Sequence, residues 1–269
     1  MRQNLIQDFE VKDWASLQEI LFHDAWSSPI NRFRSSYVYR GLNRNTYALS
    51  TTLNRLGESH LEKHLLRNFK KYAHQQVQQD SMWNWISLAQ HHGLPTRLLD
   101  WTYSPLVALH FAVGNFRKYH EDGLIWAINY VDTKKYLPEK LSGVIEKEGS
   151  HIFTTEMLQR AVQDLPELQS LQKKPFPVFL EPPSLDDRIV NQYSVFSMMS
   201  DPNIMIDDWL KDNNVRAFKM HIPAHLKWEI RDKLDQSNIN ERVLFPGFDG
   251  LAKWLKRHYI DIRADLRDD

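Results

Sequence analysis

The run Leu124-Ile125-Trp126-Ala127-Ile128-Asn129-Tyr130, entered from an Asp122-Gly123 turn, constrains the fold more than any other stretch. It is short, nearly continuously apolar and bounded by turn residues, so it reads as a strand buried on both faces. A strand with no solvent face sits in a sheet covered on both sides, and helices are one such cover. The sequence supplies them. Asp13 before WASLQEILFHDAW reads as an N-cap on an amphipathic helix. Ser104-Pro105 opens a second helix through LVALHFAVGNFRKYH, with serine at the cap and proline in the first turn. Ser59 stands where it can cap the long polar segment HLEKHLLRNFKKYAHQQV, and Trp83 to His91 make a further helix with Gly93 as its stop.

Further strands are predicted at Tyr37 to Gly41, Pro175 to Phe179, Tyr193 to Met198 and Val215 to Ile222. Residues 131–175 predict two modest helices and polar turns. Pro223 opens a helix to about Asp235, and Gly250 to Tyr259 form the last one. Without an internal repeat or a Gly/Ser linker, the expected class is α+β, a single mixed domain preceded by an N-terminal helical extension over residues 1–30.

Composition removes several functions. Cysteine is absent, which excludes a disulfide framework, thiolate zinc sites and a cysteine nucleophile. The 34 Lys plus Arg balance 34 Asp plus Glu, so no global field draws the chain onto nucleic acid or anionic lipid. The first twenty residues have no apolar core run, and no later stretch approaches the roughly 18 uninterrupted apolar residues of a membrane span. The expectation is a soluble, cytoplasmic protein with no membrane partner.

Chemistry concentrates between Trp85 and Ala112. A Gln90-His91-His92-Gly93 helix end, the stretch Arg97 to Asp100, and the Ser-Pro-capped helix follow one another directly. Strand alternation puts Arg97 and Asp100 on opposite faces, so they are not expected to pair. Asp100 has two readings: a carboxylate accepting N–H groups at the start of the next helix, or a group facing a ligand. Adjacent His91 and His92 point different ways, and no third ligand stands at a metal spacing. The His60/His64 pair lies on a polar helix face and His221/His225 is interrupted by Pro223. No metal is expected.

Tyr39-Arg40-Gly41, the stretch LSTTLNR over 49–55, the block Gln90 to Thr102 and Ser104-Pro105-x-x-Ala108-Leu109-x-Phe111-Ala112 together resemble the FRG domain family. The family is named for a Phe-Arg-Gly triplet, and Tyr39 stands here in place of Phe. Arg188-Ile189-x-x-Gln192-x-x-x-Phe196 and Leu244-Phe245-Pro246-x-x-Asp249-Gly250-Leu251-Ala252 also resemble it. Ser194 and Gly247 depart from the family pattern, which often has Gly and Asp there. The resemblance implies an FRG domain over 31–269 and a bacterial or phage-linked protein. It also implies a split β-sheet flanked by helices, like that of ADP-ribosyltransferases, with NAD as substrate.

In that reading Arg40 ends an early strand and offers its planar guanidinium to a diphosphate, while Gly41 lets the backbone approach the ligand. Thr51, Gln90, His91, His92, Thr96, Arg97, Trp101 and Thr102 are implied as further ligand contacts. Departure of nicotinamide leaves an oxocarbenium-like ribose that a carboxylate or amide oxygen stabilises. Gln192 is neutral and cannot be a base, so transfer needs a carboxylate such as Glu181, Asp100 or Glu241. The acceptor would be a nucleic acid or a protein, in a phage-defence or toxin setting. The alternative is a sensor module that binds a nucleotide or nucleic acid without chemistry. Against both stand plainer assignments: Arg40 in a closed ion pair with Asp100, Gln192 satisfying backbone groups, Trp101, Trp126 and Phe111 as core, and Arg67, Lys70 and Lys71 on a solvated helix face.

Overall fold

The computed structural model describes residues 5–74, 81–184 and 186–259. Its strands are β1 (Ile6–Glu10), β2 (Trp26–Ser27), β3 (Arg32–Phe33), β4 (Tyr37–Leu42), β5 (Leu99–Thr102), β6 (Gly123–Asn129), β7 (Phe153–Thr154), β8 (Pro177–Glu181), β9 (Ser194–Met199) and β10 (Ala217–Ile222). Among the described residues, eight strands form one mixed sheet in the order β1-β10-β6-β4-β5-β9-β8-β7, and β2 and β3 make a separate small hairpin. The β1/β10 and β7/β8 pairs are parallel and the others antiparallel.

β6 lies inside the sheet with all seven residues buried, as the apolar run demands. On one face Ile125 and Ala127 pack with Tyr39, Phe218, Leu17, Leu109 and Ile230. On the other, Trp126 and Ile128 pack with Val38, Trp101 and Trp209. A third cluster joins β8 and β9, through Val178, Leu180, Phe196 and Met198, to the helices carrying Trp83, Ile86, Ile145 and Leu158. Each large apolar side chain buried this way contributes about 1.5–3 kcal/mol.

Residues 1–30 hold the expected helix, Trp14–Leu21, capped by Asp13, whose carboxylate accepts from the Ser16 N–H. It stops five residues before Trp26, because the chain turns through Asp24 at φ 52° and Trp26 joins the hairpin. The same segment contributes β1 to the main sheet, an edge strand with no counterpart among the predicted strands. Ser59 is not a helix cap: its hydroxyl bonds Asn203 Oδ1, and the helix runs Glu62–Ala73. The predicted helical residues 75–77 lie outside the described residues. Three helices, Glu139–Lys147, Thr155–Ala161 and Leu165–Ser170, occupy the region where two are predicted.

The expected split sheet is met by a single sheet with a near-break. β4 pairs with β6 along its whole length, and β5 pairs with β9 at all four positions. β4 and β5 meet only at Tyr39 opposite Thr102. Beyond that position the two strands part.

One wall behind this opening is held by buried charge. The Pro105–Val113 helix places His110 Nδ1 at 2.6 Å from Arg231 Nη1 of the Lys227–Gln236 helix. Arg231 also donates to the Ile239 carbonyl. Burial, reinforced by Arg231, holds the His110 pKa down at about 3, so the ring is neutral and accepts. The unfolded chain takes up this proton near the ordinary value of 6.5, whereas the folded chain takes it up only near 3. Stability from this residue is therefore complete above pH 6.5 and is lost as pH falls, at about 1.4 kcal/mol per pH unit. Urea titrations from pH 7 to 4.5 are expected to show a shallower decline for His110→Asn, whose amide oxygen keeps an acceptor for Arg231. Equal slopes for the two proteins would refute the assignment.

Candidate functional site

The parting of β4 and β5 opens a cleft of about 620 Å³. β4 lines it with Tyr39, Arg40 and Gly41, and β5 with Asp100, Trp101 and Thr102. The end of the Met82–His91 helix adds Gln90, His91, His92 and Gly93. Phe111 of the next helix, Arg188, Ile189 and Gln192 of the segment before β9, and Ser194 and Phe196 of β9 complete the lining.

Gly41 is required by the packing of β4. A Cβ there would lie 1.8 Å from the Ala108 carbonyl oxygen and 2.6 Å from the Ala112 nitrogen, so only glycine lets strand and helix touch. Arg40, next to it, turns toward β5. Its Nη1 donates to the Asp100 backbone carbonyl at 2.6 Å and lies 3.7 Å from Asp100 Oδ2. The guanidinium thus reaches across strands that no longer pair with each other. Its Nε is buried without a hydrogen-bond partner among the described residues. Burial lowers the Arg40 pKa from its ordinary value, against the pull of Asp100, yet an arginine stays charged at neutral pH.

The Asp100 side chain is 57% exposed. Gln90 Nε2 donates to both of its oxygens, at 3.1 and 3.0 Å. Gln90 is itself fixed, because its Oε1 accepts from the Thr96 hydroxyl at 2.6 Å while Thr96 Oγ1 accepts from the Leu98 N–H. Asp100 does not cap the following helix; Ser104 does, accepting from the Val107 N–H. Nor is the Arg40–Asp100 pair closed, since both residues line the cleft.

His91 Nε2 lies 2.5 Å from Asp186 Oδ2. Burial lowers the His91 pKa, with Arg188 and His92 adding to the effect and Asp186 opposing it. Burial raises the Asp186 carboxyl, but the Ile189 N–H and His91 outweigh that and hold it below the usual carboxylate range. Asp186 is absent from the sequence-level candidates. Its only signal is its position as the N-cap of Asp187–Asn191, which reads as plain helix capping.

Several expected site residues do other work. Arg97 is buried and bound to Glu62 through both Nε and its backbone N–H, at 2.7 and 2.9 Å, and donates to the Ser200 carbonyl. Thr96 is fully buried and acts on the site only through Gln90. Thr51 caps the Thr52–Leu56 helix and does not line the cleft. The Trp101 ring is buried in the core, its Nε1 bonded to Ser197. Thr102 is buried and accepts from the Ser104 N–H. Gln192 ends the Asp187–Asn191 helix instead of starting β9, and donates to the Leu244 carbonyl at 2.8 Å. Glu241 is outside the cleft: Arg257 binds both its oxygens at 2.9 and 2.8 Å, and also binds Asp235. Glu181 accepts from the Tyr103 hydroxyl. Among the described residues, no group of three or more His, Cys, Asp or Glu is arranged to hold a metal ion, and no helix is long and apolar enough to cross a membrane.

Residues 35–121 match the family model of the FRG domain. That span carries Arg40, Gly41 and the whole stretch from Gln90 to Thr102; Asp186 and Gln192 lie beyond it. Searches of curated proteins and of solved structures give no significant match.

Two of the three candidate carboxylates, Glu241 and Asp100, should separate in a stability measurement. Glu241→Gln leaves Arg257 half-paired in the interior and is expected to lower unfolding free energy by about 3 kcal/mol. Asp100→Asn, at an exposed position, is expected to change it by less than about 1 kcal/mol. Denaturant unfolding of both variants checks this, and the reverse ranking would contradict the placement.

Proposed function

We propose that this FRG-domain chain binds NAD or a closely related nucleotide in the β4–β5 cleft and acts there as an ADP-ribosyltransferase-like enzyme. The acceptor in this reading is a nucleic acid or a protein, in phage defence or toxicity. The observation that carries it is the Arg40–Asp100 pair at the parting of the strands: a guanidinium and an exposed carboxylate on one cleft.

The residue types suit a dinucleotide. A diphosphate is recognised by guanidinium groups, and Arg40 and Arg188 both line the cleft. Such charge-assisted bonds are worth about 1.5–3 kcal/mol each. Asp100, oriented by Gln90, offers negative charge to a ribose becoming cationic as nicotinamide leaves. The near-break of the sheet at this cleft supports the likeness to the split sheet of transferases.

A second reading, a binding module without chemistry, draws on Gln192. Its amide is neutral and one of its N–H groups is engaged with the Leu244 carbonyl, so it supplies no charge there.

Thermal unfolding with NAD, ADP-ribose and unrelated nucleotides tests both. A ligand at 100 times its Kd stabilises the folded state by about 2.7 kcal/mol, which for a chain of this size raises Tm by roughly 5–10 °C. Arg40→Ala is expected to abolish most of that rise. No shift with NAD or ADP-ribose would end the proposal, and a shift without nicotinamide release would leave the binding module.

A further inference from the structure

We infer that His91, oriented by Asp186, takes the proton from the acceptor nucleophile in this cleft, an assignment that rests on the transferase reading above. The transfer needs a base, and the three carboxylates that the sequence offers for it are engaged elsewhere or by their neighbours. Glu241 is locked to Arg257, and Glu181 accepts from Tyr103. Asp100 accepts from Gln90 on both oxygens and lies beside Arg40, so its oxygens are already engaged.

His91 is placed differently. Its ring lines the cleft, with 10% of the side chain exposed, at the last position of the Met82–His91 helix. Asp186 is immobilised from two sides: Oδ1 accepts the Ile189 N–H at 3.1 Å, and Oδ2 lies 2.5 Å from His91 Nε2. A carboxylate pinned by backbone and set against one ring nitrogen fixes the tautomer and leaves the other nitrogen's lone pair to accept. The proton is thereby assigned to Nε2 and the lone pair to Nδ1. The charged and titratable groups facing the ring are Asp186 and Arg188 from one wall and His92, in edge contact at 5.1 Å, from its own helix end. Burial, Arg188 and His92 together keep the imidazole neutral at neutral pH, the form that accepts a proton.

The step balances without a further reagent. The bond from ribose C1′ to the nicotinamide nitrogen breaks, and its electron pair leaves with nicotinamide. A hydroxyl or amine of the acceptor bonds C1′, and its proton passes to His91 Nδ1 and then to solvent. With water as acceptor the products are ADP-ribose, nicotinamide and one proton. Asp100 takes no proton in this step.

The test uses the full chain, nicotinamide release from NAD across pH 5–9, and ADP-ribose binding by calorimetry. His91→Gln is expected to slow release by about 100-fold or more, with ADP-ribose affinity within about twofold of the parent. Asp186→Asn keeps a capping side chain and is expected to slow release by about tenfold. It should also move the acidic limb of the pH profile downward, because a carboxylate that raises the His91 pKa is gone. A His91→Gln protein with the parent's rate and acidic limb overturns the assignment. So does one whose loss lies in ADP-ribose affinity, or a parent that binds ADP-ribose but releases no nicotinamide. A parent that neither binds nor turns over defeats the transferase reading itself.

Discussion

Between β4 and β5 the ladder holds at one position, Tyr39 opposite Thr102, and the cleft lined by Arg40 and Asp100 opens where it fails. Two packing demands pull the strands apart. Gly41 seats β4 against the backbone of the Pro105–Val113 helix, closer than any side chain would allow. β5 is committed over its full length to β9. A sheet interior normally satisfies its own N–H and C=O groups, and here the Arg40 guanidinium substitutes at the Asp100 carbonyl. The arginine is thus part of the fold and part of the cleft wall at once.

The surrounding charges fall into two populations. Arg97–Glu62, Arg257–Glu241 and Arg231–His110 are buried, paired and oriented inward, and Lys227 is fully buried with its ammonium donating to the Asn43 and Lys118 carbonyls. Breaking such contacts leaves an unpaired charge in the interior, so they act as framework. Arg40, Asp100, Arg188 and His91 line the cleft, held by neighbours that leave them facing it. Gln90 shows how the second population depends on the first: its amide orients Asp100 only because buried Thr96 holds its oxygen. Carboxylates of one chemical type therefore acquire different duties from their surroundings.

The same distinction separates what was legible in the sequence from what was not. β6, the Asp13 and Ser104 caps and the helix end at Gly93 follow from local pattern and cap chemistry, and the structure has them. Arg40, Gly41, the Gln90–His92 turn, Asp100 and Gln192 line one cleft, as expected if the strand ends they occupy converge. Partners distant in sequence were not readable. Arg97 looks like a ligand residue until Glu62, 35 residues earlier, is seen to bind it, and Glu241 looks like a free carboxylate until Arg257 closes on it. Asp186 was hidden for the opposite reason, since its local role as a cap accounts for it completely in sequence. β1 escaped because IQDFE is an edge strand whose pairing lies over two hundred residues away in β10.

The wall that carries Asp186, Arg188 and Gln192 could have been a loose connection, being a five-residue helix joined to β9. It is fixed at both ends instead. Asp186 meets His91 at its start, and Asn191 and Gln192 donate to the Val243 and Leu244 carbonyls at its finish. Between this helix and β9 the chain turns at Tyr193, whose φ of 49° lies in the left-handed region that bulky side chains avoid. Such a conformation persists only where its surroundings over-determine it. Here the Tyr193 N–H donates to the Val190 carbonyl and its own carbonyl accepts from the Tyr103 N–H. The strain sits directly beside Gln192, at the edge of the cleft. It marks the point where the short helix gives way to β9.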